Sequence, residues 1–134
     1  ISEETLCKLG VEVTCEEDPI EYFKNRRIEI LKMQRDKAEV EPIAYQDNLF
    51  DYDDKARDRI NVALVALTVQ GEEASIMWTT ADNQEVSVTA NDMRMIVTAV
   101  ALRSNKLHSA YRIAKAKVLK ATTVEEVEAV NLNE

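Results

Sequence analysis

At 134 residues the chain has room for one domain with a sizeable core, since domains run most often to roughly 100–150 residues. It is 46% apolar and 31% charged, with two glycines and two prolines, a balance that excludes a disordered chain and favours long helices over many tight turns. The net charge of −8 argues against nucleic acid as a partner, and no stretch approaches the roughly 20 apolar residues that a membrane span requires.

Residues 1–18 contain CKLGVEVTCEEDP, acidic and briefly alternating, which reads as an N-terminal arm or edge strand outside a domain spanning 19–134. A disulfide between Cys7 and Cys15 would close only a short loop, so reduced thiols are expected. The first residues lack a basic segment followed by an apolar one, the pattern of a soluble chain made without secretion. A helix is expected to begin at Asp18-Pro19, a capping residue followed by proline at the first helical position. Ile20, Phe23, Ile28 and Leu31, with Ile30 and Met33 beside them, give it one apolar stripe, and Pro42 ends it.

Residues 44–54, AYQDNLFDYDD, read as a short extended pair closed at Gln46–Asn48, with Tyr45, Leu49, Phe50 and Tyr52 as pegs tucked into the core. A second helix starts near Asp53 or Asp54, carries Ile60, Ala63, Leu64 and Leu67 on its inner face, and stops at Gly71. Residues 74–89 hold strand formers on both sides of Ala81-Asp82-Asn83-Gln84, a hairpin in which Ile76, Trp78 and Thr80 share a face with Val86 and Val88. Thr89 caps the longest helix, with Asp92 three residues on. Along that helix Met93, Val97, Val100, Ser104, Leu107, Tyr111, Ala114 and Val118 follow a four-three spacing, a face fit for the internal core or for a partner helix in a homo-oligomer. A short last helix is capped at Thr122 or Thr123, with Glu125 or Glu126 three residues later and Val124, Val127 and Val130 inward. The fold class is therefore α+β and predominantly helical, with three to four helices and a β-hairpin packed on them.

Charge is unevenly placed. Residues 1–54 carry fifteen acids against seven bases, whereas residues 89–120 carry seven bases against Asp92 alone. That asymmetry steers either the chain's own packing or a partner. The basic segment holds a single aromatic, Tyr111, which is poor provision for nucleic acid.

Little in the chain points to chemistry. The single histidine, His108, lies within the long helix beside Leu107 and reads as a partly exposed helical residue rather than a catalytic base. Cys7 and Cys15 have no histidine near them, so a zinc site is not expected. The runs Glu16-Glu17-Asp18 and Asp51, Asp53, Asp54 lack the glycine-turned loop of a calcium hand and read as capping and solvated residues. No phosphate-cradling loop is possible with two glycines so placed. No catalytic, metal or cofactor-binding residue is therefore expected, and Trp78 reads as the peg that joins sheet to helices.

Three segments taken together, FDYDDKARDRI (50–60), WTTADNQEVSVTANDM (78–93) and KVLKATTVEEVEAV (117–130), resemble a domain family of tailed-bacteriophage and prophage proteins, found in tail-fibre and tail-assembly proteins. The resemblance covers roughly residues 20–131. Phe50, Asp51 and Asp53 match the family's approach to an Arg-rich helix start, Arg57 and Arg59 that start, Trp78, Ala81, Asp82 and Asn83 its hairpin, Thr89 the following cap, and Thr123 and Glu126 its close. The family's turn glycine is replaced here by Gln46, Asp47 and Asn48, and residues 1–18 lie outside the match. What the resemblance implies is a non-enzymatic virion protein, a structural or adaptor module of the tail-fibre apparatus, made in the host cytoplasm and partnered by other tail or tail-fibre proteins. An assembly chaperone absent from the finished virion is the alternative, and a glycan-degrading tail enzyme a more remote one.

Overall fold

A computed structural model describes residues 19–132. The expectations for the N-terminal arm, for Cys7 and Cys15 and for Asp18 as a cap lie outside these residues. The fold is α+β and predominantly helical, with four helices and two small antiparallel hairpins. In chain order they are α1 (Pro19–Glu39), β1 (Ile43–Tyr45), β2 (Asn48–Phe50), α2 (Asp54–Gln70), β3 (Ser75–Thr79), β4 (Glu85–Thr89), α3 (Ala90–Lys120) and α4 (Val124–Ala129). No helix among the described residues is long and apolar enough to cross a membrane.

The described residues divide into two compact units, with the divisions falling inside α1 after Gln34 and inside α3 after Ser109. The unit formed by Arg35–Ser109 holds both hairpins and α2. Its core joins Phe50, Ile60, Ala63, Leu67, Trp78, Val88, Ala90, Met93 and Ile96. Local chemistry sets each boundary. Asp53 caps α2 by accepting from the Ala56 amide at 2.9 Å. Gly71, at φ 111°, ends it with its own amide on the Leu67 carbonyl, a backbone angle that side-chain-bearing residues rarely take. In the β3–β4 pair Ile76 lies opposite Val88 and Trp78 opposite Val86, so the apolar positions of both strands do share one face.

The β1–β2 pair corrects one expectation. Phe50 is fully buried and Tyr45 and Tyr52 are half-buried, but Leu49 is 46% exposed. Strand side chains alternate, and the register Ile43↔Phe50, Ala44↔Leu49 sends Leu49 to the face opposite Phe50. The turn uses Gln46 and Asp47, both left-handed at φ 52° and 65°. Two positive φ values in succession are what a tight two-residue hairpin demands.

In the other unit the buried apolar residues are Leu31, Tyr111, Ala114, Val118, Ala121, Val127, Val130 and Leu132. Its polar ties are long-range. Lys24, itself buried, donates Nζ to the Leu119 carbonyl at 2.9 Å, at the negative end of the α3 dipole. Arg27 donates Nε and Nη2 to the Val130 carbonyl at 3.0 and 2.6 Å, and Nη2 to Asn131 Oδ1 at 3.2 Å. The four-three stripe of α3 is taken up by the chain itself: Met93, Val100, Tyr111, Ala114 and Val118 are buried, and Val97, Ser104 and Leu107 half-buried.

Candidate functional site

α2 carries apolar residues around most of its circumference. Its inner face, Ile60, Ala63 and Leu67, is in the core. On the other side Val62, Val65 and Val69 recur at spacings of three and four and are 70%, 66% and 81% exposed. A helix apolar on both sides is more common in an interior, so the exposed second stripe is the feature of α2 that the fold itself does not account for. Two hollows border this stripe and share Val62. One, of about 360 Å³, is lined by Asp58, Arg59, Val62, Ala63 and Trp78. The other, of about 420 Å³, is lined by Asn61, Val62, Val65 and Ala66. Trp78 is buried against Ile60 and Ala63 in the core cluster, and the Arg59 guanidinium sits 4.9 Å from its ring centroid. The tryptophan is thus both a peg of the core and part of the wall of the first hollow.

The hairpin loop beside it is closed from within. Thr80, almost fully buried, donates its amide to the Gln84 carbonyl at 2.8 Å and its hydroxyl to Asp82, and accepts from the Gln84 amide at 3.0 Å. Asn83, left-handed at φ 63°, donates its amide to the Thr80 carbonyl. The Ala81 amide reaches the Leu49 carbonyl at 2.7 Å and so ties the loop to β2.

At the start of α3, Thr89 and Asp92 form a capping box: the Thr89 amide donates to Asp92 Oδ2 at 2.9 Å and the Asp92 amide to Thr89 Oγ1 at 3.2 Å. The Tyr45 hydroxyl donates to Asp92 Oδ1 at 2.7 Å. Partial burial pushes the Asp92 carboxyl up, but the bonds from Tyr45 and Thr89 outweigh it and hold it below the usual value. The hydrogen bond to Asp92, with burial and that negative charge, pushes Tyr45 up to about 12. The hollow here, about 30 Å³ and lined in part by Tyr45, Asn48, Ser87 and Asp92, has room for about one water and not for a substrate.

Further along α3, Arg103 collects the carbonyls at the end of α1, donating to Glu39 at 2.9 Å, Glu41 at 2.9 Å and Pro42 at 3.2 Å. Glu39 Oε2 accepts from Ser104 at 3.0 Å and lies 2.9 Å from His108 Nε2. His108 is a half-exposed helical residue whose ring nitrogen faces this carboxylate. The base-rich segment therefore serves the chain's own packing at Arg103 and, at Arg94, through an ion pair with Glu72 at 3.0 Å. Among the described residues no group of three or more His, Cys, Asp or Glu is arranged to hold a metal ion.

The residues singled out by motif divide among three tasks. Phe50 is core, Asp53 and Thr89 are caps, and Ala81, Asp82 and Asn83 shape the loop. Arg57 is ion-paired within α2 to Asp54 and Asp58, both at 3.5 Å, and Asp51 is exposed. Only Arg59 and Trp78 come together at a concave surface. Thr123 and Glu126 lie in the other unit, where Thr123 caps α4 and Glu126 accepts from the Thr122 amide at 2.8 Å. The bonds from the Thr122 amide and hydroxyl lower the Glu126 carboxyl.

A family model described as domain of unknown function DUF4376 matches residues 23–131. The chain belongs to that family. No curated protein and no solved structure matches it. The DUF4376 match takes in all four helices and both hairpins apart from the first turn of α1. Within it, reading the sequence for the inner face of α2 passed over the outer stripe. The available signal was the near-unbroken run Val62-Ala63-Leu64-Val65-Ala66-Leu67, which is wider than one helical face.

Proposed function

We propose that this chain is a non-enzymatic protein of a tailed bacteriophage, a structural or adaptor module of the tail-fibre apparatus that works by protein–protein contact. The observation that carries the contact role is the exposed stripe Val62, Val65, Val69 with its two bordering hollows. An apolar stripe in water is a standing free-energy deficit that a partner's apolar surface relieves, at roughly 25 cal/mol per Å² buried. The polar residues support the same reading, because Asp53, Thr89, Asp92, Thr123 and Glu126 are engaged in capping and Asp82 in the loop. The tail assignment comes from the resemblance of segments 50–60, 78–93 and 117–130 to tail-fibre and tail-assembly proteins.

The test is quantitative mass spectrometry of purified particles from a phage or induced prophage that encodes the chain, with the deletion mutant beside it. Presence at a fixed ratio to a tail protein, and loss of adsorption on deletion, is the expected result. A chain required for infectivity but missing from the particle is an assembly chaperone, whose exposed α2 face serves a transient client. A chain neither present in particles nor needed for them ends the tail assignment. Cleavage of host polysaccharide that an acid-to-amide change abolishes would overturn the non-enzymatic reading.

A further inference from the structure

We infer that the outer face of α3 from Arg112 to Lys120 is the docking surface for this chain's own acidic N-terminal segment, residues 1–18. The inference concerns a surface other than the α2 stripe and does not rest on the tail assignment. Arg94 and Arg103 serve an ion pair and the end of α1, but the second half of the base-rich stretch belongs to the other unit. There Tyr111, Ala114 and Val118 turn inward, and Arg112, Ile113, Lys115, Lys117, Leu119 and Lys120 are exposed. Among the described residues Lys115, Lys117 and Lys120 make no ion pair, whereas Lys24 and Arg27 of α1 are bonded to backbone carbonyls. The face is cationic, with Ile113 and Leu119 set among its charges.

Charge says which occupant fits. Residues 1–18 carry six acids against Lys8 alone, and residues 110–120 carry four bases and no acid. The described residues of this unit carry eight bases against five acids, while residues 35–109 carry eight against thirteen. An acidic segment is thus joined directly to the one unit with a basic surplus, where opposite charges attract. Its point of attachment suits the contact. Lys24 reaches the Leu119 carbonyl at 2.9 Å, so the start of α1, where residue 18 joins Pro19, lies beside the end of α3. Eighteen residues span up to roughly 60 Å, whereas residues 112–120 occupy about 12 Å of helix. The tether keeps the segment at millimolar effective concentration, so exposed ion pairs that are each weak suffice together. Leu9, Val11 and Val13 supply apolar side chains for Ile113 and Leu119.

Paramagnetic broadening in the full, isotope-labelled chain tests this, with a nitroxide on Cys15 and Cys7→Ser to leave one thiol. The tether alone brings Cys15 near the last turn of α3, so the reading is taken further back, at the amides of Arg112, Ile113 and Ala116, and against a charge variant. In the parent chain these amides should lose at least about half of their intensity at low salt and recover most of it in about 1 M salt, where the screening length falls to about 3 Å. Lys117→Glu with Lys120→Glu should abolish the loss, and far-UV helicity should be unchanged because both side chains are exposed. Adding Glu16→Lys and Glu17→Lys to that variant should bring the loss back, which a damaged helix would not do. No broadening at these amides in the parent, broadening indifferent to the two lysines, or charge swaps that do not rescue each other would overturn the inference. So would equal broadening in a mixture of spin-labelled chains with isotope-labelled, nitroxide-free ones, because the docked segment would then belong to a second copy.

Discussion

The two faces of α2 have nearly the same chemistry and opposite surroundings. Ile60, Ala63 and Leu67 are at most 8% exposed, whereas Val62, Val65 and Val69 are at least 66% exposed. Composition therefore does not decide which stripe builds the core; the neighbours do. The inner stripe meets Trp78 and Val88 from the second hairpin and Met93 and Ile96 from α3 in one cluster. The outer stripe is left exposed by the described residues. One stripe stabilises the fold, and the other adds nothing to that core and is the face on which the proposed contact role rests.

Truncating the inner face should therefore give the largest effect. Leu67→Ala is expected to destabilise the unit by about 3 kcal/mol, the usual range for removing a buried leucine and leaving a cavity. Denaturant titration followed by the fluorescence of Trp78, the chain's one tryptophan and a member of the same cluster, measures it. A loss under about 1 kcal/mol would show that the inner face is less well packed than its burial implies.

A smaller effect is expected where the core meets the capping network. Asp92→Ala removes half of the capping box and the acceptor of Tyr45, at about 2 kcal/mol near neutral pH. The sign with pH follows from the shifts. Asp92 titrates below its unfolded value of 3.8, so its contribution is present above that pH and is lost as the pH falls through the folded value. Tyr45 is raised from 10.0 to about 12, so its contribution is present below pH 10 and is lost as the pH climbs toward 12. Stability–pH curves of the wild type and Asp92→Ala should converge at both extremes. Curves that coincide at every pH would mean that the network is energetically idle, and curves separated by a constant offset that its contribution does not depend on ionisation.

How far the sequence foretold this arrangement depended on how local the controlling chemistry was. Asp53, Thr89 with Asp92, Gly71 and Thr123 act within three or four residues of themselves, and each boundary they set was legible. Cross-strand alternation likewise pointed to one shared face for Trp78 and Val86, which lie opposite each other. Leu49 was misplaced because register, not hydrophobicity, decides which side of a three-residue strand faces inward. Lys24, Arg27 and Arg103 gave no signal at all. Their acceptors are backbone carbonyls 95, 103 and at least 61 residues away, and any residue type presents such a carbonyl. The outer stripe of α2 was hidden for the opposite reason: its residues look like core, and only the fold shows that the core is already complete without them.

Asp47→Gly touches neither face and calibrates the unit's response. Asp47 stands at φ 65° in a two-residue turn, where glycine relieves the steric conflict of the left-handed conformation. The added freedom of the unfolded chain offsets part of that gain, so the net expectation is a stabilisation of about 0.5 kcal/mol. The same Trp78 fluorescence titration measures it, and a loss of stability would show that the turn departs from this geometry in solution.

The smallest effect carries the most information about the outer face. Val65→Ser leaves helix propensity nearly unchanged, since valine and serine rank together, and removes apolar area that the single chain already exposes to water. At concentrations low enough to hold the chain monomeric, its unfolding free energy should stay within about 0.5 kcal/mol of the wild type. A loss of more than about 1.5 kcal/mol under those conditions would mean that some part of the chain itself covers Val65, because a side chain in water contributes too little to the fold for its removal to be felt so strongly. A null effect at low concentration that grows as the concentration is raised is what an association surface produces, because mass action then adds the partner's binding energy to the stability of the wild type alone.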